Sequence, residues 1–456
     1  MPYPQSVEEL INRTSADSVY MLLHPGWSTE ARANRWHMGT RWARHLPVTF
    51  VVPEKGLLDR AVAVERRIPN CRVLRVPANH GPLWGMAAQL QAGSVLSDMR
   101  GTGARYPILW LYNATMLEAF AAAPAVARVH HITENYFDFE GIDASYLERV
   151  RLAARLADLN VAISEGCARP LLGDAAGRMV VAANGCDYAV YGADVAPDAR
   201  IASYRRTFHR IAVYGGNINA RLDFDLIGRL ADAAPDTLLA FVGPVRLPSD
   251  LVARFRALQS LPNVRYFGAV DPDDLPAIYR AADLGFMPYT IVPLHTENGF
   301  PLKVLEMCAT GLPVVSIPIR ALKPLSPPLH VTNTSEEFIA AFLAARREPA
   351  LAAELRALAS RNDYDERFGD ITARIAESDP RAGTRLGALP APIAGTEETV
   401  VDVLVRQRWS WSMVYWRLRI QVLGRLATLV DRLPDPMRDL VVRVKRAFIA
   451  PSKLAG

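Results

Sequence analysis

The sequence predicts an α/β protein of two doubly wound, parallel-sheet domains facing a cleft, followed by a C-terminal helical extension. Three observations carry this expectation. Short apolar runs alternate with stretches of helical periodicity from residue 18 to about residue 345, the grammar of parallel strands joined by crossover helices. Several of these runs end in glycine or polar clusters (His24-Pro25-Gly26, Gly215-Gly216, Gly243-Pro244), which belong at the carboxyl edge of a sheet, where open α/β folds bind ligands. With 456 residues and half of them apolar, the chain has enough material for two full cores and additional segments. The predicted division is a first domain over 17–190, a second over 208–345, closing helices over 346–376, a linker over 377–399 and a basic amphipathic extension over 400–456.

Residues 1–16 are polar and read as a short extension. The first buried strand is expected over 18–23, and the helix after it, over 32–45, packs through Trp36, Gly39 and Ala43 with Arg35 and Arg41 outside. Strands follow at 48–52, 72–76, 108–111 and 128–132. The last of these leads into a crowd of polar residues, of which His130, His131, Glu134 and Asp138 are functional candidates because they lie at a strand end and not on a helix face. The plain alternative is that the histidines are satisfied by backbone carbonyls. A metal site is disfavoured, since adjacent histidines do not readily place both rings on one ion and no third ligand is suitably spaced. A helix over 146–159 and strands at 160–164 and 179–181 complete the first domain, and 188–207 reads as the interdomain linker.

The second domain opens with a strand at 211–214, the Gly215-Gly216 turn and Arg221 at the entry to a helix. Glycines let a phosphate approach the backbone, and arginine binds such oxygens bidentately, so this is a credible pyrophosphate clamp. The alternative is a surface pair of Arg221 with Asp223 or Asp225. Strands at 238–242, 264–267 and 284–288 then lead to the stretch His295-Thr296-Glu297-Asn298-Gly299-Phe300-Pro301-Leu302-Lys303. Here a polar loop enters a helix with Pro301 near its first turn, where a missing N–H costs nothing. Lys303 and Glu306 share one face of that helix at i and i+3. It stops at Gly311, a natural left-handed residue, before a buried strand at 312–317. A helix N-terminus able to bind anions, a cation one turn in and a carboxylate beside it suit a ligand with phosphates and sugar hydroxyls.

The run from Asn298 to Glu306, continued by Met307-Cys308-Ala309-Thr310-Gly311-Leu312-Pro313-Val314-Val315, resembles the donor-site signature of the retaining GT-B glycosyltransferases of the group 1 family (family 4). That signature is Glu, seven residues, Glu, a small-residue helix end and Gly-x-Pro-Val-Val. The chain departs from it at the first acid, which is Asn298 with Glu297 one residue early. It is closer to a variant branch reading Pro-Leu-Lys before the final Glu. The resemblance covers about 17–376 and implies a GT-B fold of two Rossmann-like domains. It also implies a metal-independent transferase of the hexosyl type that uses a nucleoside diphosphate sugar as substrate and no further cofactor. Donor-binding residues would then be Gly26, Gly215, Gly216, Arg221, Asn298, Gly299, Phe300, Lys303 and Glu306. Glu306 would hold the ribose hydroxyls, and Arg221 with Lys303 would neutralise the leaving diphosphate. His131 would contact the donor sugar and Glu134 would position the acceptor hydroxyl. A sugar-nucleotide epimerase and a donor-binding homologue without catalysis are the rivals. A nicotinamide oxidoreductase is weaker, because the only G-x-G, at Gly101 to Gly103, does not follow a strand and open a helix.

Composition sets the expected surroundings. The four cysteines show no C-x-x-C spacing, the N-terminus shows no signal-peptide pattern and no run of about 18 apolar residues marks a membrane span, so a cytoplasmic enzyme is expected. Residues 404–456 hold a local charge of +8 against +5 for the whole chain, with Trp409, Trp411, Tyr415, Trp416 and Phe448 among the cations. Basic amphipathic helices with interfacial aromatics suit an anionic bilayer surface; the acceptor expected with the family resemblance is a cell-envelope glycan or a lipid-linked acceptor. An extra helical pair packed on the domains, or an oligomer contact, is the alternative. Nucleic acid is not an expected partner, as no recognised fold accompanies the charge.

Overall fold

The computed structural model describes residues 3–25, 32–54, 62–64, 68–78 and 84–378. The predicted Gly26 contact, most of the 377–399 linker and the whole 400–456 extension lie outside them.

The first sheet contains β1 (Ser18–Leu22), β2 (Val48–Glu54), β3 (Val62–Val64), β4 (Cys71–Pro77), β5 (Pro107–Leu111), β6 (Ala127–Ile132), β7 (Leu159–Ala162) and β8 (Met179–Val181). Its order is β3-β4-β2-β1-β5-β6-β7-β8, parallel throughout apart from the antiparallel pairing of β3 with β4. Strand order reverses between β1 and β5, which pair from Ser18 opposite Pro107 to Leu22 opposite Leu111. Every residue of these two strands is buried, as a sheet covered on both faces demands.

The second domain is built on β9 (Arg210–Gly215), β11 (Thr237–Val242), β13 (Val264–Tyr266), β14 (Leu284–Met287), β15 (Val314–Ser316) and β16 (His330–Val331), all parallel. The two-residue strands β10 (Ile218–Asn219) and β12 (Val245–Arg246) form a small separate pair. In the main sheet the order β13-β11-β9-β14-β15-β16 is the Rossmann order, with its switch point between β9 and β14. The two switch points face each other across the cleft, and the site lies there.

Three local expectations are corrected. Residues 1–16 are no loose extension: Gln5–Thr14 is a helix whose Val7 and Leu10 are fully buried and whose Ser6 hydroxyl meets that of Thr372 at 2.8 Å. Its partner is the final described helix, Tyr364–Glu377, which returns to the first domain and inserts Tyr364, Phe368, Ile371 and Ile375 into that core. Arg41, expected on the outside, is 1% exposed and reaches Asp365 at 2.6 Å, with Asp363 and Asp187 at 3.8 and 4.0 Å. A charge is tolerated inside because the returning helix and the domain exit bring three carboxylates to it. The stretch 188–207, read as a linker, is folded into Tyr188–Tyr191, Ala199–Ala202 and a 3-10 turn at Ser203–Arg206, with Tyr191 and Ile201 buried.

Candidate active site

The cleft holds a cavity of about 480 Å³, a size suited to a small-molecule substrate. Its second-domain wall begins where β9 ends. Gly215 and Gly216 turn the chain there, and Lys303 occupies the space above the turn. A Cβ on Gly216 would stand 2.1 Å from the Lys303 ammonium and displace it, and the φ of +139° is itself one that favours glycine. Lys303 Nζ donates to the Tyr214 hydroxyl at 2.9 Å and sits 4.2 Å from the centroid of the Tyr214 ring. Tyr214 in turn donates to the Asn217 carbonyl at 3.0 Å, which leaves its oxygen lone pairs to the ammonium. The cation is therefore held in place before any ligand arrives.

Lys303 lies in the first turn of the helix Leu302–Ala309, entered through Pro301 and closed after Thr310 by Gly311 at φ 73°. One turn on, Glu306 lines the same cavity while 8% exposed. Burial pushes its carboxyl up to about 7, opposed by Lys303, a hydrogen bond from Tyr191 and Arg32. It is thus poised to take hydroxyl donors that would replace its lost water. Tyr279 lies beside it with a buried hydroxyl lacking a partner.

Arg221 approaches from the loop after β10. Its backbone N–H donates to Asn219 Oδ1 and its carbonyl accepts from Thr290 N–H at 2.9 Å, which fixes the base of the side chain. Its partner is neither Asp223, which caps the next helix, nor Asp225, which pairs with Arg254. Instead Arg221 Nη2 reaches across the cleft to Glu134, at 3.2 and 3.3 Å from the two carboxylate oxygens. Glu134 follows β6 by two residues and lines the cavity with Thr133. Of the predicted residues, Glu134, Gly215, Gly216, Arg221, Gly299, Phe300, Lys303 and Glu306 all converge on this one space.

His131 does not. It belongs to β6, paired with Val161 of β7, and is 1% exposed. Its Nδ1 accepts from Trp110 Nε1 at 3.2 Å, and its ring stacks on Tyr112 at 4.9 Å. Burial, with His130 next to it, pushes its pKa down to about 3, so it is a neutral core residue. His130 is likewise buried, facing Asn160 at 3.1 Å and held at about 4 by burial. Neither lines the cavity, because the strand continues to Ile132 and both of its faces are covered.

Asn298 is also turned away. Its Nδ2 donates to Asp138 Oδ2 at 2.8 Å, its Oδ1 accepts from Asn135 at 3.3 Å, and its carbonyl accepts from the Ser164 hydroxyl at 2.6 Å. These bonds dock the second domain's loop on the first. Gly166 makes the approach possible, since a Cβ there would be 2.3 Å from the Glu297 carbonyl oxygen. An amide suits this place because it donates to one neighbour and accepts from the other, whereas a carboxylate would face Asp138.

Sequence reasoning missed several contributors. Asn34 and Asn184 line the cavity within a relay from the Tyr112 hydroxyl through both amides to the Phe300 carbonyl, at 2.8, 2.8 and 2.9 Å. Tyr191, Tyr214 and Tyr279 also line it, and no local pattern marks their hydroxyls.

This geometry has counterparts. Residues 219–360 match the family described as glycosyl transferases group 1. That match lies almost wholly within the second domain. A curated relative, the putative teichuronic acid biosynthesis glycosyltransferase TuaH of Bacillus subtilis, is 36% identical over 133 residues, 29% of this chain and 32% of the relative. The match thus spans about a third of that relative's length. Among solved structures, sucrose-phosphate synthase from Thermosynechococcus elongatus superposes with a TM-score of 0.61 at 15% identity, over 78% of this chain and 97% of that one. HepE of Anabaena in complex with UDP-glucose gives 0.57 at 17% identity, over 79% and 98%. At these identities the likeness shows the fold alone: two Rossmann-like domains of the GT-B type.

Proposed function

We propose that the chain is a retaining, metal-independent glycosyltransferase that moves a sugar from a nucleoside diphosphate sugar to a cell-envelope glycan or lipid-linked acceptor. The observation that carries this reading is the convergence of Lys303, Arg221, the Gly215-Gly216 turn and the buried Glu306 on one cavity. A diphosphate laid on the glycine turn meets the Lys303 ammonium and the Arg221 guanidinium, while Glu306 accepts the ribose hydroxyls. Cations aimed at the leaving group stabilise the charge that develops as it departs, with no reorganisation at the moment of reaction. The bond from the anomeric carbon to the diphosphate oxygen breaks, the bond to the acceptor hydroxyl oxygen forms on the same face, and the hydroxyl proton passes to the departing phosphate.

The complex of HepE with UDP-glucose supports a sugar nucleotide as donor, and the name of TuaH supports an envelope polysaccharide as product. Asn298 is the ground for a non-catalytic homologue, and that ground weakens because its side chain faces the other domain. We place the enzyme in the cytoplasm, attached peripherally to the membrane through its basic extension. Among the described residues no helix is long and apolar enough to cross a membrane.

The test is incubation of the full chain with α-linked UDP-, GDP- and ADP-sugars, with and without a crude glycolipid acceptor, followed by NMR of the products. Acceptor-dependent release of nucleoside diphosphate and an α-linked product are expected. A β-linked product would refute retention, and an altered sugar nucleotide formed without acceptor would establish an epimerase.

A further inference from the structure

Among the described residues, ion pairs of both polarities join the two domains, Glu165 with Arg320 at 3.5 Å being one, and two others run in opposite senses. Arg32 of the first domain meets Asp273 of the second, and Glu134 of the first meets Arg221 of the second. They differ in what they occupy. Arg32 and Asp273 are not part of the diphosphate clamp, whereas Arg221 is one of its two cations. Lys303, the other, is engaged by the Tyr214 phenol and its ring, by the Tyr289 ring at 5.8 Å and by the buried Glu306 carboxyl one turn away. One cation of the clamp thus faces phenols and a carboxyl whose pKa burial raises, and the other is paired with a partly exposed carboxylate of the first domain.

We propose, resting on the donor-site reading above, that Glu134 stands in for a donor phosphate on Arg221. Donor binding is then an ion exchange that releases the Glu134 carboxylate to the acceptor side of the cleft. Three features support this. Both carboxylate oxygens lie on a single nitrogen, Nη2, at 3.2 and 3.3 Å. This is weaker than the two-nitrogen fork that gives Arg–carboxylate pairs their strength. Both side chains are 40% exposed, so solvent reduces their attraction and exchange is cheap. The Arg221 backbone is pinned at both its N–H and its carbonyl, so the root of the side chain stays at the cavity wall when Glu134 leaves. A diphosphate carries more charge and more acceptor oxygens than one carboxylate, and it is already drawn to Lys303. The freed carboxylate remains beside Thr133, Pro25 and Arg35 on the first-domain wall, able to accept a hydrogen bond from an incoming hydroxyl. After transfer, departure of the nucleoside diphosphate restores the pair.

The exchange predicts opposite signs for binding and turnover, which neither a structural strap nor a group that merely positions Arg221 would produce. Isothermal titration of the full chain with UDP, or with whichever of GDP, ADP and CDP the wild type binds, reads the first sign. Glu134→Gln and Glu134→Ala should bind the nucleoside diphosphate about two- to fivefold more tightly, the scale of an exposed ion pair, while sugar transfer falls. The gain should vanish when Glu134→Gln is combined with Arg221→Ala, since nothing then remains to compete for. Asp273→Asn, which opens the other pair, should leave the affinity within error of wild type.

Weaker or unchanged binding by both Glu134 variants would overturn the proposal. So would a gain that survives in the Arg221→Ala background, or an equal gain in Asp273→Asn, which would make the effect one of domain opening. If wild type binds no nucleoside diphosphate at all, the donor-site reading itself is refuted. That outcome is separable from the sign of the Glu134 effect.

Discussion

The two walls of the cleft were built from similar residue types and carry different roles. On the second-domain wall, the turn after β9 and the helix Leu302–Ala309 put Gly216, Lys303 and Glu306 into the cavity. On the first-domain wall, the polar crowd after β6 divides three ways. His130 and His131 enter the core, Asn135 and Asp138 hold the loop at Asn298, and Thr133 and Glu134 alone face the cavity. A polar residue at a strand end is therefore informative only once the strand has stopped. β6 ends at Ile132, and an offset of three residues separates the buried imidazole of His131 from the carboxylate of Glu134 that crosses the cleft.

The sharpest test of this contrast is Lys303→Ala. Removing a positioned cation from a transition-state clamp costs on the order of 10² to 10³ in turnover. The melting temperature should hold, since the side chain borders a cavity. A turnover loss below tenfold would detach Lys303 from the reaction and erase the difference between the walls.

Glu306→Gln should weaken binding of the sugar nucleotide roughly tenfold, because a hydrogen bond to a charged acceptor contributes about 1.5 to 3 kcal/mol. With the wild-type carboxyl pushed up to about 7, affinity for a sugar nucleotide should rise between pH 6 and pH 8 and be flat in the variant. Stability should run the other way. A folded-state pKa raised from 4.5 to about 7 favours the native state fully below the lower value, and the contribution is lost as pH rises through the higher one. Urea titrations of wild type across this range should show that decline, and Glu306→Gln should lack it.

The smallest effect on chemistry belongs to His131→Leu. It removes the acceptor of the Trp110 indole N–H inside the core, so it should cost about 1 to 3 kcal/mol of stability. Turnover per folded molecule should stay within about twofold. A loss of turnover comparable to that of Lys303→Ala, with stability unchanged, would return His131 to the reaction centre.

Much of the donor side was readable because its signals are local. Pro301, Gly311 and the i, i+3 spacing of Lys303 and Glu306 specify a short helix and its functional face without reference to anything distant. The Gly215-Gly216 turn is equally local. Other readings failed where the deciding partner was remote in sequence. Arg41 is buried because Asp363 and Asp365 return to it from more than three hundred residues away. Val7 and Leu10 form a helix face because Tyr364–Glu377 comes back to cover it. Asn298 looked like a degraded acid in the donor signature, and its use as a two-way hydrogen-bonding contact depends on Asn135 and Asp138 of the other domain.

The sequence by itself determined the alternation of strands and helices, the glycine turns at strand ends and the cation and carboxylate on one helix. Each follows from backbone sterics and periodicity within a dozen residues. Only the tertiary structure decided which polar groups share the cleft and which partner each has. Arg221 carries the same charge whether it faces Asp223, Asp225 or Glu134, and the choice rests on how two sheets with facing switch points bring the end of β6 opposite the loop after β10. Side-chain chemistry is written in the chain, but the desolvation and pairing that turn it into a site arise from groups that meet only when both domains have folded.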